Sequence, residues 1–187
     1  MVAARERSGP ASLAWLGADY PVQLLPQKLR GVPADWLAEL AGCGAEVVLV
    51  EADDAGQRLL KAPAAHEPAL PPATTLLVPV GDSDALGKPL SEEYVHRCLL
   101  LADLACLPAG SPISPEVIAV ALAHPEGGLK GMPAGARAVP LLATRRPPAA
   151  GGILEETASL LLLSPHVERV VAAHLRGRPV APRVFAS

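Results

Sequence analysis

Two short apolar runs, each opening into a polar loop, constrain the fold of this chain more than any other feature. Residues 47–50 are followed by Glu51, Ala52, Asp53 and Asp54, and residues 74–80 open into the loop 81–89. Short apolar runs bounded by turn residues are typical of strands buried in a parallel sheet. A third run covers residues 137–142, and helical patterns separate the three. This alternation predicts an α/β domain with a mostly parallel sheet flanked by helices on both faces.

The remaining patterns complete a single-domain prediction. The first 27 residues show no strong period and are expected to be irregular, which leaves residues 28–187 as one α/β domain, a size that can bury a core. Helices are expected at 33–41, 91–107, 114–124 and 153–163; Ser91 and Ser114 are their candidate N-caps, and Pro115 suits a first helical turn. Residues 46–51 are predicted to form a buried, parallel strand, and 167–173 a last strand or a short helix.

The polar loops after the first two runs are the best candidates for a site. In open α/β sheets, ligands bind in the crevice beyond the carboxyl ends of the strands. The chain has four lysines, and three of them lie in Pro- and Gly-rich loops, where a compact ammonium is useful. The candidate ligand-binding residues are Glu51, Asp53, Lys61, His66, Glu67, Asp84, Lys88, His96, Arg97 and Lys130.

Each group of candidates also has a purely structural interpretation. Glu51 and Asp53 resemble a strand end that holds Mg²⁺, and they equally fit a charged strand terminus at a turn. Lys61, His66 and Glu67 could bind an anion or a metal, yet one His and one carboxylate are a weak ligand set. For the pair His96 and Arg97, a solvated helix face is sufficient, with Arg97 pairing Glu93 at a spacing of four.

The loop 81–89 fails as a phosphate-binding P-loop. A P-loop requires Gly-x-x-x-x-Gly-Lys followed by Ser or Thr. Five residues separate Gly81 from Gly87, and Pro89 stands where the hydroxyl that binds Mg²⁺ would be. The Ser residues also lack a Gly-x-Ser-x-Gly context, so no catalytic nucleophile is predicted.

Composition limits the class of protein. A net charge of −3 argues against an electrostatic nucleic-acid binder. No apolar stretch reaches the roughly 18 residues that a membrane span needs, so no membrane partner is expected. Cys43, Cys98 and Cys106 form no metal-binding spacing and are expected to be buried, inert thiols in a reducing compartment. The expected location is the cytoplasm.

Several segments of this sequence resemble the YqeC family of bacterial proteins. The members of that family are identified as accessory proteins of selenium-dependent molybdenum hydroxylases. The resemblance runs from about residue 28 to 173. The segments that carry it are Lys28-Leu29-Arg30-Gly31 with 33–40, Val48-Leu49-Val50-Glu51-Ala52-Asp53, Leu60-Lys61-Ala62-Pro63, His66-Glu67-Pro68, 84–90, Val95-His96-Arg97 and 124–131.

The resemblance implies a P-loop NTPase-like protein that helps to mature a molybdenum hydroxylase, at the level of its molybdopterin cofactor or selenium. It implies ATP or GTP with Mg²⁺ as ligands, and the hydroxylase or its cofactor-maturation proteins as partners. This sequence departs from the family in three places: no Gly-Lys-Thr P-loop precedes residue 28, Asp54 replaces the Gly of a Glu-Ala-Asp-Gly turn, and residues 142–145 replace an Asn-Lys-x-Asp element.

Three hypotheses follow, of which the first is the leading one and the other two are alternatives. The first is an accessory protein, derived from an NTPase, whose hydrolysis is weak or absent, either because the chain is truncated relative to the family or because it is a degenerate paralogue. The second is an active ATP or GTP hydrolase that is completed by a partner chain. The third is a non-catalytic protein-interaction module.

Overall fold

The computed structural model describes residues 2–6, 12–16, 47–144, 152–175 and 181–186. They fall into two units. One holds residues 1–53 and 69–73, and the other holds 54–68 and 74–187. The helix expected at 33–41 and Cys43 lie outside the described residues.

The first unit contains a three-stranded sheet. Its strands are β1 (Val2–Glu6), β2 (Ser12–Leu16) and β3 (Val48–Val50), in the order β2-β1-β3, and both pairings are antiparallel. Strands β1 and β2 lie where irregular backbone was expected, so that expectation is wrong for these residues. The strand expected at 46–51 is present, but it pairs antiparallel and Leu49 is exposed, which corrects the prediction of a buried parallel strand.

The second unit is built on a four-stranded sheet in the order β11-β10-β9-β6. Strands β6 (Val80–Asp82), β9 (Leu141–Thr144) and β10 (Arg169–His174) run parallel, and β11 (Arg183–Ala186) is antiparallel at the edge. This confirms the α/β class. The last predicted element, left open between strand and helix, is the strand β10, whereas β11 was not expected.

Short strand pairs extend this unit beside the main sheet. Strand β4 (Leu60–Lys61) pairs parallel with β7 (Val95–His96), and β5 (Leu76–Leu77) pairs parallel with β8 (Arg137–Ala138). The predicted strands 74–80 and 137–142 each divide in two at a proline, at Pro79 and Pro140 respectively, because proline has no N–H to donate to a ladder.

Three helices belong to the described part of this unit: α1 (Cys98–Leu104), α2 (Pro115–Ala123) and α3 (Ile153–Leu161). The predictions for α2 and α3 are confirmed, including Ser114 at the N-cap and Pro115 at the first helical position of α2. The prediction of one helix over 91–107 is wrong, because 91–94 form a turn and β7 precedes α1.

The core lies between the sheet and α2 and α3, which pack on each other. Leu142 and Val170 are fully buried, and a Cβ at Gly81 would lie 2.9 Å from Leu60 and 3.2 Å from Leu122 of α2. Successive strand residues point to opposite faces, so Val80 and Val184 lie on the other face, where both are exposed. In the described part of the unit the helices therefore cover one face of the sheet, not both as expected.

Candidate functional site

The loop 61–68 is organised around one carboxylate. Arg97 donates to both oxygens of Glu67, from Nη1 at 2.6 Å and from Nη2 at 3.1 Å. The Ala64 N–H donates to Glu67 Oε2 at 3.1 Å, and Lys61 Nζ lies 3.0 Å from the same oxygen. The Glu67 side chain is only 20% exposed. The Glu67 carboxylate therefore accepts a hydrogen bond from the backbone of its own loop and forms ion pairs with Lys61 and Arg97.

Strand pairing brings Lys61 and Arg97 to the same carboxylate. In the β4–β7 ladder Lys61 is the partner of His96, which places Arg97 one residue past the pair. Arg97 has φ +60°, a left-handed conformation that costs a non-glycine residue about 1 kcal/mol. Such strain persists where surrounding contacts determine the conformation, and the paired bonds to Glu67 supply those contacts.

Lys130 joins this loop from a distant segment. Its Nζ donates to the Ala64 carbonyl at 2.9 Å, and its ammonium also lies 3.9 Å from Glu126. The turn before it contains Gly128, where a Cβ would lie 2.4 Å from the Leu122 carbonyl oxygen. No side chain fits there, so glycine lets the turn fold tightly against the end of α2 and directs Lys130 towards the loop.

We call Lys61, Glu67, Arg97 and Lys130 the Glu67 cluster. Lys61 and Arg97 pair with the Glu67 carboxylate, and Lys130 binds the backbone of the same loop at Ala64. Lys61 also donates to the Asp54 carbonyl at 2.8 Å. All four side chains are partly buried. Even with Glu126 counted, positive charge exceeds negative charge, and such a concentration of donors favours anions.

The pKa of Glu67 is lowered from 4.5 to about 2. Burial is the largest single influence and on its own would raise the pKa. The hydrogen bonds from the Ala64 N–H, Arg97 and Lys61, together with the charge of Lys61, outweigh it. Glu67 is therefore ionised at neutral pH.

Glu92 was not among the predicted site residues, yet it holds the start of α1. Its Oε1 accepts from the Cys98 N–H at 2.8 Å and its Oε2 accepts from the Arg97 N–H at 3.3 Å. The bond from the Cys98 N–H is the main cause of a lowered Glu92 pKa, while burial and Glu92 raise the pKa of the Cys98 thiol. A cap six residues before its helix has no sequence signature, since capping patterns span three or four residues.

Two of the other predicted site residues, His66 and His96, lie beside members of this cluster. His66 is exposed, with Nε2 3.8 Å from Glu67, and His96 lies on β7 beside Lys61. Arg97 pairs with Glu67 and follows a turn, so the helical pairing expected with Glu93 is wrong.

Asp84 and Lys88 make their described contacts elsewhere. The Asp84 N–H donates to Asp82 in a 3-10 turn over Ser83–Ala85, and Lys88 Nζ lies 5.5 Å from the centre of the Tyr94 ring. Glu51 and Asp53 belong to the other unit, where both are exposed.

The two described thiols differ in their exposure. Cys98 is buried as expected, but Cys106 is exposed and lies past the end of α1, which corrects the expectation for that thiol. Among the described residues, no group of three or more His, Cys, Asp or Glu side chains could hold a metal ion. Mg²⁺ at Glu51 and Asp53 stays a prediction from sequence.

Comparison with known proteins relates part of the chain to one family. A family model described as "YqeC protein" matches residues 9–99. This chain is a YqeC-like protein. The matched range contains Lys61, Glu67 and Arg97 and ends before Lys130.

A curated YqeC relative gives the same result. The Escherichia coli (strain K12) protein named "Uncharacterized protein YqeC" is 34% identical to this YqeC-like chain over 94 residues, which is 50% of this chain and 37% of that protein. The alignment thus spans little more than a third of the relative. No solved structure matches. No helix in the described part of the chain has the length and hydrophobicity to cross a bilayer.

Proposed function

We propose that this YqeC-like chain is an accessory protein in the maturation of a molybdenum hydroxylase, and that it binds a phosphate-bearing ligand at the Glu67 cluster. The observation that carries the proposal is the convergence of Arg97 and Lys130, from two separate segments, onto the loop that holds Lys61. A phosphate needs several donors on different sides, and this arrangement offers them.

Arg97 and Lys130 can still donate to a ligand, although both already form hydrogen bonds to the loop 61–68. Arg97 carries five N–H donors and Lys130 carries three, more than their bonds to Glu67, Ala62, Ala64 and Glu126 require. Partial exposure lets an anion reach these groups without unfolding the loop. A nucleotide such as ATP or GTP, with Mg²⁺, and a molybdopterin cofactor both present phosphate of this kind.

Hydrolysis is not part of the proposal. The sequence contains no Gly-x-x-x-x-Gly-Lys-Ser/Thr segment, so the backbone cradle that positions a β- or γ-phosphate in a P-loop NTPase is missing from it. We propose an NTPase-derived domain that retains phosphate binding and a partner surface, with weak or absent turnover.

Calorimetric titration tests the ligand. ATP, GTP and pyrophosphate are titrated, each with Mg²⁺, into the wild-type chain and into Lys130→Ala. Micromolar binding of at least one ligand, weakened about tenfold or more in Lys130→Ala, is expected from the loss of one charge-assisted hydrogen bond. Arg137→Ala is the control, because Arg137 is an exposed cation on β8. Equal losses in both variants would mean non-specific charge attraction, and no binding would refute the ligand proposal.

The accessory role needs a separate test in cells. Molybdenum hydroxylase activity is compared in the host with the intact gene, with a deletion, and with Lys130→Ala supplied in its place. We expect deletion to lower the activity and the variant to restore it incompletely. Unchanged hydroxylase activity after deletion would refute the accessory role, whatever the calorimetry shows.

A further inference from the structure

Helix α1 is almost entirely apolar. Six of its seven residues are apolar, and Asp103 is the exception. Helices of this composition are normally buried on all sides, but only Cys98, Leu101 and Ala102 are buried here. Leu99 is 64% exposed and Leu100 is 41% exposed. The outer face of α1 therefore has the character of a surface that a partner covers.

A groove lies just past the C-terminal end of α1. It has a volume of about 300 Å³ and lies between the residues that follow α1 and the first turns of α2. Its lining residues are Ala105, Leu107, Ser114, Glu116, Val117 and Val120. Leu107 is also among the exposed large apolar side chains. A branched or aromatic side chain fits such a space, which gives the surface an anchoring point.

The charge of this surface has one sign. Asp103 projects from the exposed side of α1, and Glu116 lines the groove with its carboxylate bonded to the Ser114 hydroxyl. The lining residues include no Lys or Arg. A partner with an apolar face and basic residues beside it matches this pattern, whereas an acidic partner would meet like charge.

We propose that the outer face of α1 and the adjoining groove bind a basic amphipathic helix of a partner protein. Recognition of an amphipathic helix in an apolar groove uses anchors spaced three or four residues apart. Leu100 on the outer face of α1 and Leu107 beside the groove offer exposed apolar contacts, and the two carboxylates set the charge of the partner. The proposal does not depend on the ligand at the Glu67 cluster.

A pair of designed peptides tests both parts of the proposal. Each has about 15 residues, long enough to form a helix, and the two share one Leu face but carry either Lys or Glu on the other face. Binding to the full chain is followed by fluorescence anisotropy. We expect the Lys peptide to bind at least about tenfold more tightly than the Glu peptide, with the difference shrinking as salt is raised.

Variants locate the binding. Leu100→Ser and the double change Asp103→Asn with Glu116→Gln are expected to weaken the Lys peptide, the second also removing its preference over the Glu peptide. Leu163→Ser is the control, because Leu163 is an exposed leucine past the end of α3. Equal binding of both peptides to wild type, or equal effects of Leu100→Ser and Leu163→Ser, would overturn the proposal.

The oligomeric state shows whether a second copy of the chain, and not a partner helix, occupies the surface at α1. Sedimentation is measured across concentrations for wild type and Leu100→Ser, and we expect both to be monomeric without peptide. A wild-type dimer that Leu100→Ser converts to a monomer would assign the surface to a second copy of the chain and would overturn the proposal. Circular dichroism of each variant confirms that lost binding does not reflect lost folding.

Discussion

Replacing Glu67 by Gln is the sharpest test of the cluster, because it keeps the shape of the side chain and removes its charge. The folded-state pKa is about 2 against an ordinary 4.5. This lowering of the pKa corresponds to at most about 3.4 kcal/mol of stability at neutral pH. Since the side chain is 20% exposed, solvent screening reduces this to about 2 kcal/mol.

The sign of the pH dependence follows from the lowered pKa. The folded state favours the ionised carboxylate, so its contribution is complete above the unfolded pKa of 4.5 and is lost as pH falls towards about 2. We expect Glu67→Gln to be about 2 kcal/mol less stable than wild type at pH 7, with roughly half of that difference left near pH 3.

Urea unfolding followed by circular dichroism, at pH values from 7 to 3, measures this difference. Glu168→Gln is the matched control, since Glu168 is exposed before β10, and it should change stability by less than about 0.5 kcal/mol. Equal stability of wild type and Glu67→Gln at pH 7 would refute the reasoning. So would a difference that stays constant down to pH 3.

Three further substitutions test how the cluster is positioned. Gly128→Ala should cost more than about 2 kcal/mol by urea unfolding, because its Cβ would overlap the Leu122 carbonyl; stability within about 0.5 kcal/mol of wild type would show that the turn can shift. Arg97→Lys should cost about 1–2 kcal/mol, since an ammonium cannot make the paired bonds to Glu67, and an unchanged urea midpoint would contradict this. Glu92→Gln should lower the melting temperature at pH 7 but much less at pH 3, and a pH-independent effect would argue against an ionised cap.

Local signals made part of the fold predictable. Ser114 and Pro115 at the start of α2 act within one turn, and the structure has the helix there. The turn at 91–94 and the left-handed Arg97 are different, because they are held by Glu67 and Glu92 from outside the helix. Glu92 and Glu93 read in sequence as the first turn of a helix, and only tertiary contacts show that the helix starts later.

The geometry of the Glu67 cluster was not predictable from the sequence. Lys61, Glu67, Arg97 and Lys130 were four of ten candidate residues, and the sequence did not separate them from the other six. Which of them meet depends on a two-residue ladder between β4 and β7, too short to leave a period in the sequence. Lys88 has the same local signals as Lys130, yet its ammonium lies over the Tyr94 ring, and no local signal in the sequence predicts that difference.

The two proposed binding surfaces meet at one peptide bond, between Arg97 of the Glu67 cluster and Cys98 at the start of α1. Glu92 accepts from the backbone N–H groups of both residues, so a shift of α1 under a bound helix would move the Arg97 backbone too. If the surfaces are coupled, linkage requires that each partner change the affinity of the other by the same factor. Peptide anisotropy with and without saturating ligand, and ligand titration with and without peptide, give the two factors independently.

We expect the two affinity factors to be equal in the wild-type chain. Both should fall to one in Glu92→Ala, because that change removes the carboxylate that accepts from the N–H groups of Arg97 and Cys98. Wild-type factors that are equal and already one would mean that α1 is held rigidly by its buried residues, and that the two surfaces act independently. Persistence of coupling in Glu92→Ala would assign the connection to the packing of α1, through Leu101 and Ala102, and not to the carboxylate that caps it.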